Sequence, residues 1–201
     1  MKILKVVIHF GAWLPLIWLA YAAYSRQLGG DPQEAVLHEL GLFGLIFLLL
    51  SLSMTPAKMF YKSFAWVRFR RMLGLYGAFY LSLHLLVYLA FYLHFDFAEL
   101  AAEIIKRPYI TVGMVAFFLL LPLVVTSTRA AQRRLGKRWK KLHQLAYIIT
   151  VLGLVHFIWQ SKSDLNEPML YVLWAGLLFG ARWFKKHQNI NIAKVSKPDN
   201  S

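Results

Sequence analysis

The stretch WKKLHQLAYIITVLGLVHFIW, from Trp139 to Trp159, decides how the rest of the chain is read. It has the length and apolarity of a helix that crosses a bilayer, for which about 20 residues are needed. Yet it carries two histidines, His143 and His156. Ionisable side chains inside lipid are costly and rare, so each is a functional-site hypothesis from the outset.

The surrounding composition supports a membrane setting. Of 201 residues, 59% are hydrophobic, and the mean hydropathy is +0.51. A soluble domain usually has about 45–50% apolar residues. The 23 basic residues outnumber the 9 acidic ones, giving a formal charge of +14. The cations cluster between apolar blocks, so topology and anionic membrane lipids account for them better than nucleic acid, for which there is no motif. The absence of cysteine excludes disulfides, thiolate metal sites and cysteine-held iron–sulfur clusters. A bound metal or cofactor must rely on His, Met, Tyr, carboxylates or backbone.

Six apolar segments have spanning length: 4–24, 36–54, 72–94, 109–126, 142–159 and 168–184. The expected fold is therefore an all-α integral membrane protein, a six-helix transmembrane bundle over 1–185 with a polar tail at 186–201. Asp31-Pro32 with Glu34 is the pattern of a capped helix start. Arg107-Pro108 and Glu167-Pro168 are expected to open the fourth and sixth spans similarly. Lys2 and Lys5 before an apolar run, with Ala20-Tyr21-Ala22 behind it, resemble a signal peptide. The run exceeds the usual apolar core of about 7–15 residues, so a retained first helix is preferred.

Loop charge gives the orientation. Lys58, Lys62, Arg68, Arg70 and Arg71 fill the 55–71 loop, and Arg129, Arg133, Arg134, Lys137, Arg138, Lys140 and Lys141 the 127–141 loop, both free of acid. The remaining loops are acidic or mixed. The positive-inside rule then places both termini and the two basic loops in the cytoplasm. No GxGxxG or P-loop accompanies the spans, so no nucleotide-binding domain is expected.

The histidines sort by depth. His9, His38, His94 and His187 fall near interfaces, where polar side chains reach the headgroups. His84 lies 13 residues beyond Arg71, and His156 lies 14 beyond Leu142. At about 1.5 Å per residue both stand roughly 20 Å above the inner boundary. They are matched in depth and could bind a flat metal centre such as haem iron. An interhelical hydrogen bond or a polar, water-filled pocket is the plainer alternative. His143 lies about 20 Å below His156 on an ideal helix, too far to share one iron, and points away from it. At its level on the third span stand Arg70 and Arg71, suited to a carboxylate, phosphate or quinone oxygen rather than to iron. Ser82, Tyr80, Tyr147 and Thr150 are candidates for supporting hydrogen bonds.

The runs RRMLGLYGAFYLSLH (70–84), PLVVTST (122–128), RRLGKRWKKLHQLAY (133–147) and LVHFIW (154–159) resemble the MsrQ family of haem-binding membrane subunits, within the ferric reductase-like transmembrane domains. The resemblance covers about residues 1–185. It implies a multi-pass protein of the bacterial inner membrane that carries haem b, with FMN associated. Such subunits take electrons from the respiratory quinone pool, with quinol as donor. They pass them to MsrP, a periplasmic molybdopterin enzyme that reduces methionine sulfoxide in oxidised envelope proteins. The catalytic site is then expected on the partner. By position, the family's histidines match His84, His143 and His156. The resemblance makes His84 and His156 the axial iron ligands. A second haem, a quinone site or a flavin site remain open for His143 with Arg70 and Arg71. Relatives with two stacked haems carry a histidine where Arg70 and Arg71 stand here, which counts against a second bis-histidine haem.

Two other readings compete. One is a self-contained transmembrane ferric or metal reductase. The other is a non-redox transporter with intramembrane histidines. The missing nucleotide domain weakens a nicotinamide-driven form of the first. The lack of an apparent internal repeat and of intramembrane carboxylates weakens the second.

Overall fold

The computed structural model describes residues 2–60, 66–161 and 164–195; Lys62, Lys162 and the last six residues of the expected tail lie outside them. Among the described residues there are helices and turns and no strand. In chain order the helices are α1 (Lys2–Tyr24), α2 (Pro32–Phe60), α3 (Arg70–Val87), α4 (Phe97–Lys106), α5 (Pro108–Val125), α6 (Arg129–Leu135), α7 (Lys137–Leu142), α8 (Leu145–Gln160) and α9 (Asn166–Val195). A 3₁₀ turn, Trp66–Phe69, leads into α3, and a π turn, Tyr88–Tyr92, follows it.

Five stretches are long and apolar enough to cross a membrane: Lys2–Tyr24, Pro32–Lys58, Trp66–Tyr92, Pro108–Val125 and Lys137–Gln160. They coincide with the first five expected spans. The sixth expected span falls within α9, which begins at Asn166 and continues to Val195, into the segment read as tail. Helix starts follow the local chemistry. Asp31 Oδ1 accepts from the Gln33 and Glu34 amides at 3.1 and 3.0 Å, with Pro32 at the first helical position. Arg107 precedes Pro108 at the start of α5, without a side-chain cap. At α9 the start lies earlier than expected: Asp164 Oδ1 accepts from Asn166 N at 3.0 Å, and Pro168 falls inside the first turn.

Three features were not expected. The loop 95–107 contains α4, capped by Asp96 on the Ala98 and Glu99 amides. The basic loop contains α6 and α7. The opening stretch is not one helix: α7 ends at Leu142, His143 and Gln144 form a turn, and α8 starts at Leu145. The ideal-helix angle between His143 and His156 therefore does not apply.

Helix α2 is the centre of the bundle. Leu40 and Phe47 pack with Ala12 and Leu19 of α1 and with Leu73 and Tyr80 of α3. Leu45, Leu49 and Leu52 pack on Leu154 of α8 and on Ala175 and Leu178 of α9. Leu48 joins Ala78, Leu120, Leu123 and Ile149 between α3, α5 and α8. Lipid tails are as apolar as leucine, so close packing rather than water exclusion holds such faces together. Small residues permit it: a Cβ on Gly77 of α3 would lie 3.1 Å from the Gly44 carbonyl of α2.

Pro56 lies inside α2, which runs on to Phe60. Having no N–H, it leaves the Leu52 carbonyl, four residues earlier, without its helical donor. The Arg182 guanidinium of α9 donates to that carbonyl and lies over the Tyr147 ring of α8, 5.0 Å from its centroid. A distant helix thus supplies the hydrogen that the proline withholds, as a membrane interior requires.

Candidate functional site

Helices α3 and α8 bring the two outer histidines together. The His84 and His156 rings have centroids 6.2 Å apart and planes at 85°. Both line one cavity of about 390 Å³ enclosed by α2, α3, α5 and α8. The depth match read from the sequence is a real juxtaposition.

Each ring is fixed through its Nδ1. His84 Nδ1 donates to the Leu37 carbonyl of α2 at 2.8 Å, and His156 Nδ1 donates to the Tyr109 carbonyl of α5 at 2.7 Å. A carbonyl can only accept, so the proton resides on Nδ1 in both rings. Nε2 is left with a free lone pair, the state in which imidazole binds a metal, and a carbonyl partner on the other nitrogen is the usual support of a metal-bound histidine.

The donor set fits haem. Two imidazoles facing one metal through bonds of about 2 Å place their ring centroids roughly 6 Å apart. Among the described residues no group of three or more His, Asp or Glu side chains could hold a bare metal ion. Two nitrogens suit an iron whose remaining positions are filled by a macrocycle. The cavity walls are largely aliphatic and aromatic, including Leu45, Leu81, Leu85, Met114 and Phe117.

The mouth of this cavity is polar. Gln160 and His38 meet across it, nitrogen to nitrogen, at 2.6 Å. Arg107 Nε pairs with Glu103 at 2.7 Å, and Arg107 Nη1 donates to the Tyr109 hydroxyl at 3.2 Å. The hydrogen bond to Tyr109 pushes the Arg107 pKa up. The π turn that carries Tyr88 and Tyr92 also borders the mouth. Such turns recur at functional sites.

A second cavity, about 1090 Å³, lies at the opposite ends of the same helices. His143, Arg70 and Arg71 all line it, so the sequence-predicted inner group also converges. Arg68, Arg129 and Lys140 share this lining, and no acid does. His143 is held from two sides: the Trp139 indole stacks on it, and its Nε2 lies 3.1 Å from Thr126 Oγ1. Leu48 lines both cavities and forms a wall between them.

The four residues expected to support the histidines do other work. Ser82 and Thr150 donate to carbonyls of their own helices, Ala78 and Ala146. Tyr80 donates to the Ala12 carbonyl at 2.7 Å and ties α3 to α1. Tyr147 lies under Arg182. The supporting partners are backbone carbonyls, which leave no mark in a sequence. Of the other histidines, His38 shares the cavity at its mouth, whereas His9 bonds the Tyr76 hydroxyl at 2.6 Å and His187 packs on Trp183.

Comparison with known proteins places this geometry in a family. The family described as ferric reductase like transmembrane component matches residues 39–154, which include His84 and end just short of His156. A protein of Rhodospirillum rubrum named protein-methionine-sulfoxide reductase heme-binding subunit MsrQ is 45% identical over 179 residues, covering 89% of this chain and 86% of its own. Proteins of the same name from Polaromonas naphthalenivorans and Xanthomonas euvesicatoria are 44% and 43% identical, covering 93% and 90% of this chain and 89% and 86% of theirs.

Proposed function

The chain belongs to the MsrQ haem-binding subunits, within the ferric reductase-like transmembrane family, and from that premise we propose that it carries electrons across the bacterial inner membrane from respiratory quinol to a periplasmic methionine sulfoxide reductase, MsrP. The observation that carries this reading is the His84–His156 pair, both rings anchored through Nδ1 and both facing one cavity.

His84 and His156 would hold the iron of haem b through Nε2. A haem bound there supplies one-electron redox chemistry. The protein does the rest. The Leu37 and Tyr109 carbonyls fix each ring's proton and orientation. Leucines and Phe117 would keep water from a metal held there, and a dry setting tunes its potential. The inner cavity receives the electron donor. Arg70 and Arg71 attract its oxygen or phosphate atoms, and His143 offers a ring nitrogen to its proton. Quinol is the donor, and an FMN at this level is compatible with the same cations. Both termini and the basic loops are cytoplasmic, and α9 is the sixth span. The outer cavity then faces the periplasm, where MsrP docks near Arg107 and the 160–167 loop. The methionine sulfoxide chemistry occurs on that partner.

The test is a coupled reduction. Purified haem-loaded protein is reduced by a quinol analogue, and MsrP with methionine sulfoxide is then added. The reading requires reoxidation of the haem that depends on both additions. Haem that stays reduced would contradict the electron route.

A further inference from the structure

The two histidines sit in the same cradle, built twice. Each Nδ1 reaches a carbonyl 47 residues away in sequence, Leu37 for His84 and Tyr109 for His156. Four residues after each carbonyl stands a glycine, Gly41 on α2 and Gly113 on α5. A Cβ on Gly41 would lie 2.9 Å from His84 Nδ1 and 3.1 Å from its Cε1. A Cβ on Gly113 would lie 2.8 Å from His156 Nδ1 and 3.0 Å from its Cε1. These contacts are closer than a methyl group tolerates. No internal repeat was apparent in the sequence, yet the site is a repeated half-site.

The spacing has a physical reason. In an α-helix the carbonyl of one residue accepts from the amide four residues on, and both lie on one face. A carbonyl has two lone pairs, so it can accept a second hydrogen. A side chain on the fourth residue would stand over that free lone pair. Glycine leaves it open, and the imidazole occupies the space where Cβ would be.

We propose that Gly41 and Gly113 are positioning residues that dictate the tautomer and the ring plane of His84 and His156, and so present Nε2 to the iron. The inference rests on the haem-ligand reading above, but its first test does not need haem. Other glycines differ. A Cβ on Gly44 would strike Leu81 at 2.6 Å, and one on Gly176 of α9 would meet nothing within 4 Å. They serve as controls.

Thermal unfolding of the full chain in detergent, prepared without haem, should show that Gly113→Ala lowers the melting temperature. In a His156→Ala background the same change should raise it, because the ring is gone and alanine favours helix over glycine. Gly41→Ala should behave alike with His84→Ala. A loss of equal size with and without the histidine ring would overturn the proposal. In haem-loaded protein, Gly41→Ala and Gly113→Ala should each weaken haem binding roughly ten- to a hundred-fold, as the loss of a ligand's supporting partner does. The spin resonance of any remaining oxidised iron should also shift, since it reads the relative orientation of the two ligand planes. Gly44→Ala should destabilise the fold equally with and without the histidine rings, since it crowds Leu81 rather than a histidine, and Gly176→Ala, which lines neither cavity, should be silent. Wild-type haem content and resonance in both cradle variants would overturn the proposal. A wild type that binds no haem would instead sink the haem reading and leave the first test standing.

Discussion

The Trp139 indole stacks on the His143 imidazole with ring centroids 4.0 Å apart and planes at 26°. Both rings also attach to Thr126. Trp139 Nε1 donates to its carbonyl at 3.0 Å, and His143 Nε2 lies 3.1 Å from its hydroxyl oxygen. That hydroxyl gives its one hydrogen to the Pro122 carbonyl at 2.6 Å. Its oxygen therefore accepts from His143, which places the imidazole proton on Nε2. The inner histidine holds the opposite tautomer from the outer pair, with Nδ1 as its basic nitrogen.

Proton transfer from a quinol to that Nδ1 predicts a selective defect. His143→Ala should slow reduction by a quinol analogue by about 10²-fold or more, the usual worth of a positioned base. Thr126→Val should slow it less, by releasing the ring. Direct reduction of the haem by dithionite should keep its wild-type rate in both variants. Stopped-flow absorbance measures both. Equal quinol rates in His143→Ala and wild type would remove His143 from electron entry.

The Leu52 carbonyl predicts a rescue. Arg182→Leu takes away its side-chain donor and should destabilise the protein by about 1–3 kcal/mol. Pro56→Ala restores the helical N–H, so Arg182→Leu should cost much less in that background. Guanidinium and proline are then coupled, which a double-mutant cycle of thermal unfolding measures. Additive effects would contradict the account of why an arginine stands there.

Leu48 separates the two cavities. Leu48→Ala should cost about 2–5 kcal/mol through the space left behind. It should also join the cavities and admit water near the iron. A more polar setting favours the oxidised, charged state, so the midpoint potential should fall. An unchanged potential in a redox titration would show that the wall does not control the dielectric.

What the sequence revealed depends on whether side chains or backbone carry the information. Residue counts from the basic loops were enough to pair His84 with His156, because helical rise is uniform from either edge. The convergence of His143 with Arg70 and Arg71 was legible for the same reason. The partners on Nδ1 were not: a carbonyl acceptor is present at every residue. The turn at His143 was hidden because nothing between Lys141 and Leu145 is a helix breaker. Arg182 escaped notice because its partner, Leu52, is 130 residues away. Pro56 also lay beyond the expected end of the second span at 54, so no carbonyl there was marked as needing a donor.

The most direct test of the central claim is the oxidised and dithionite-reduced absorption spectrum of purified wild type, His84→Ala and His156→Ala, each expressed with ample haem. The account predicts a b-type spectrum in wild type and its loss in each variant, in protein that remains folded. Full haem content in His84→Ala and His156→Ala would contradict the assignment of this pair as the iron ligands.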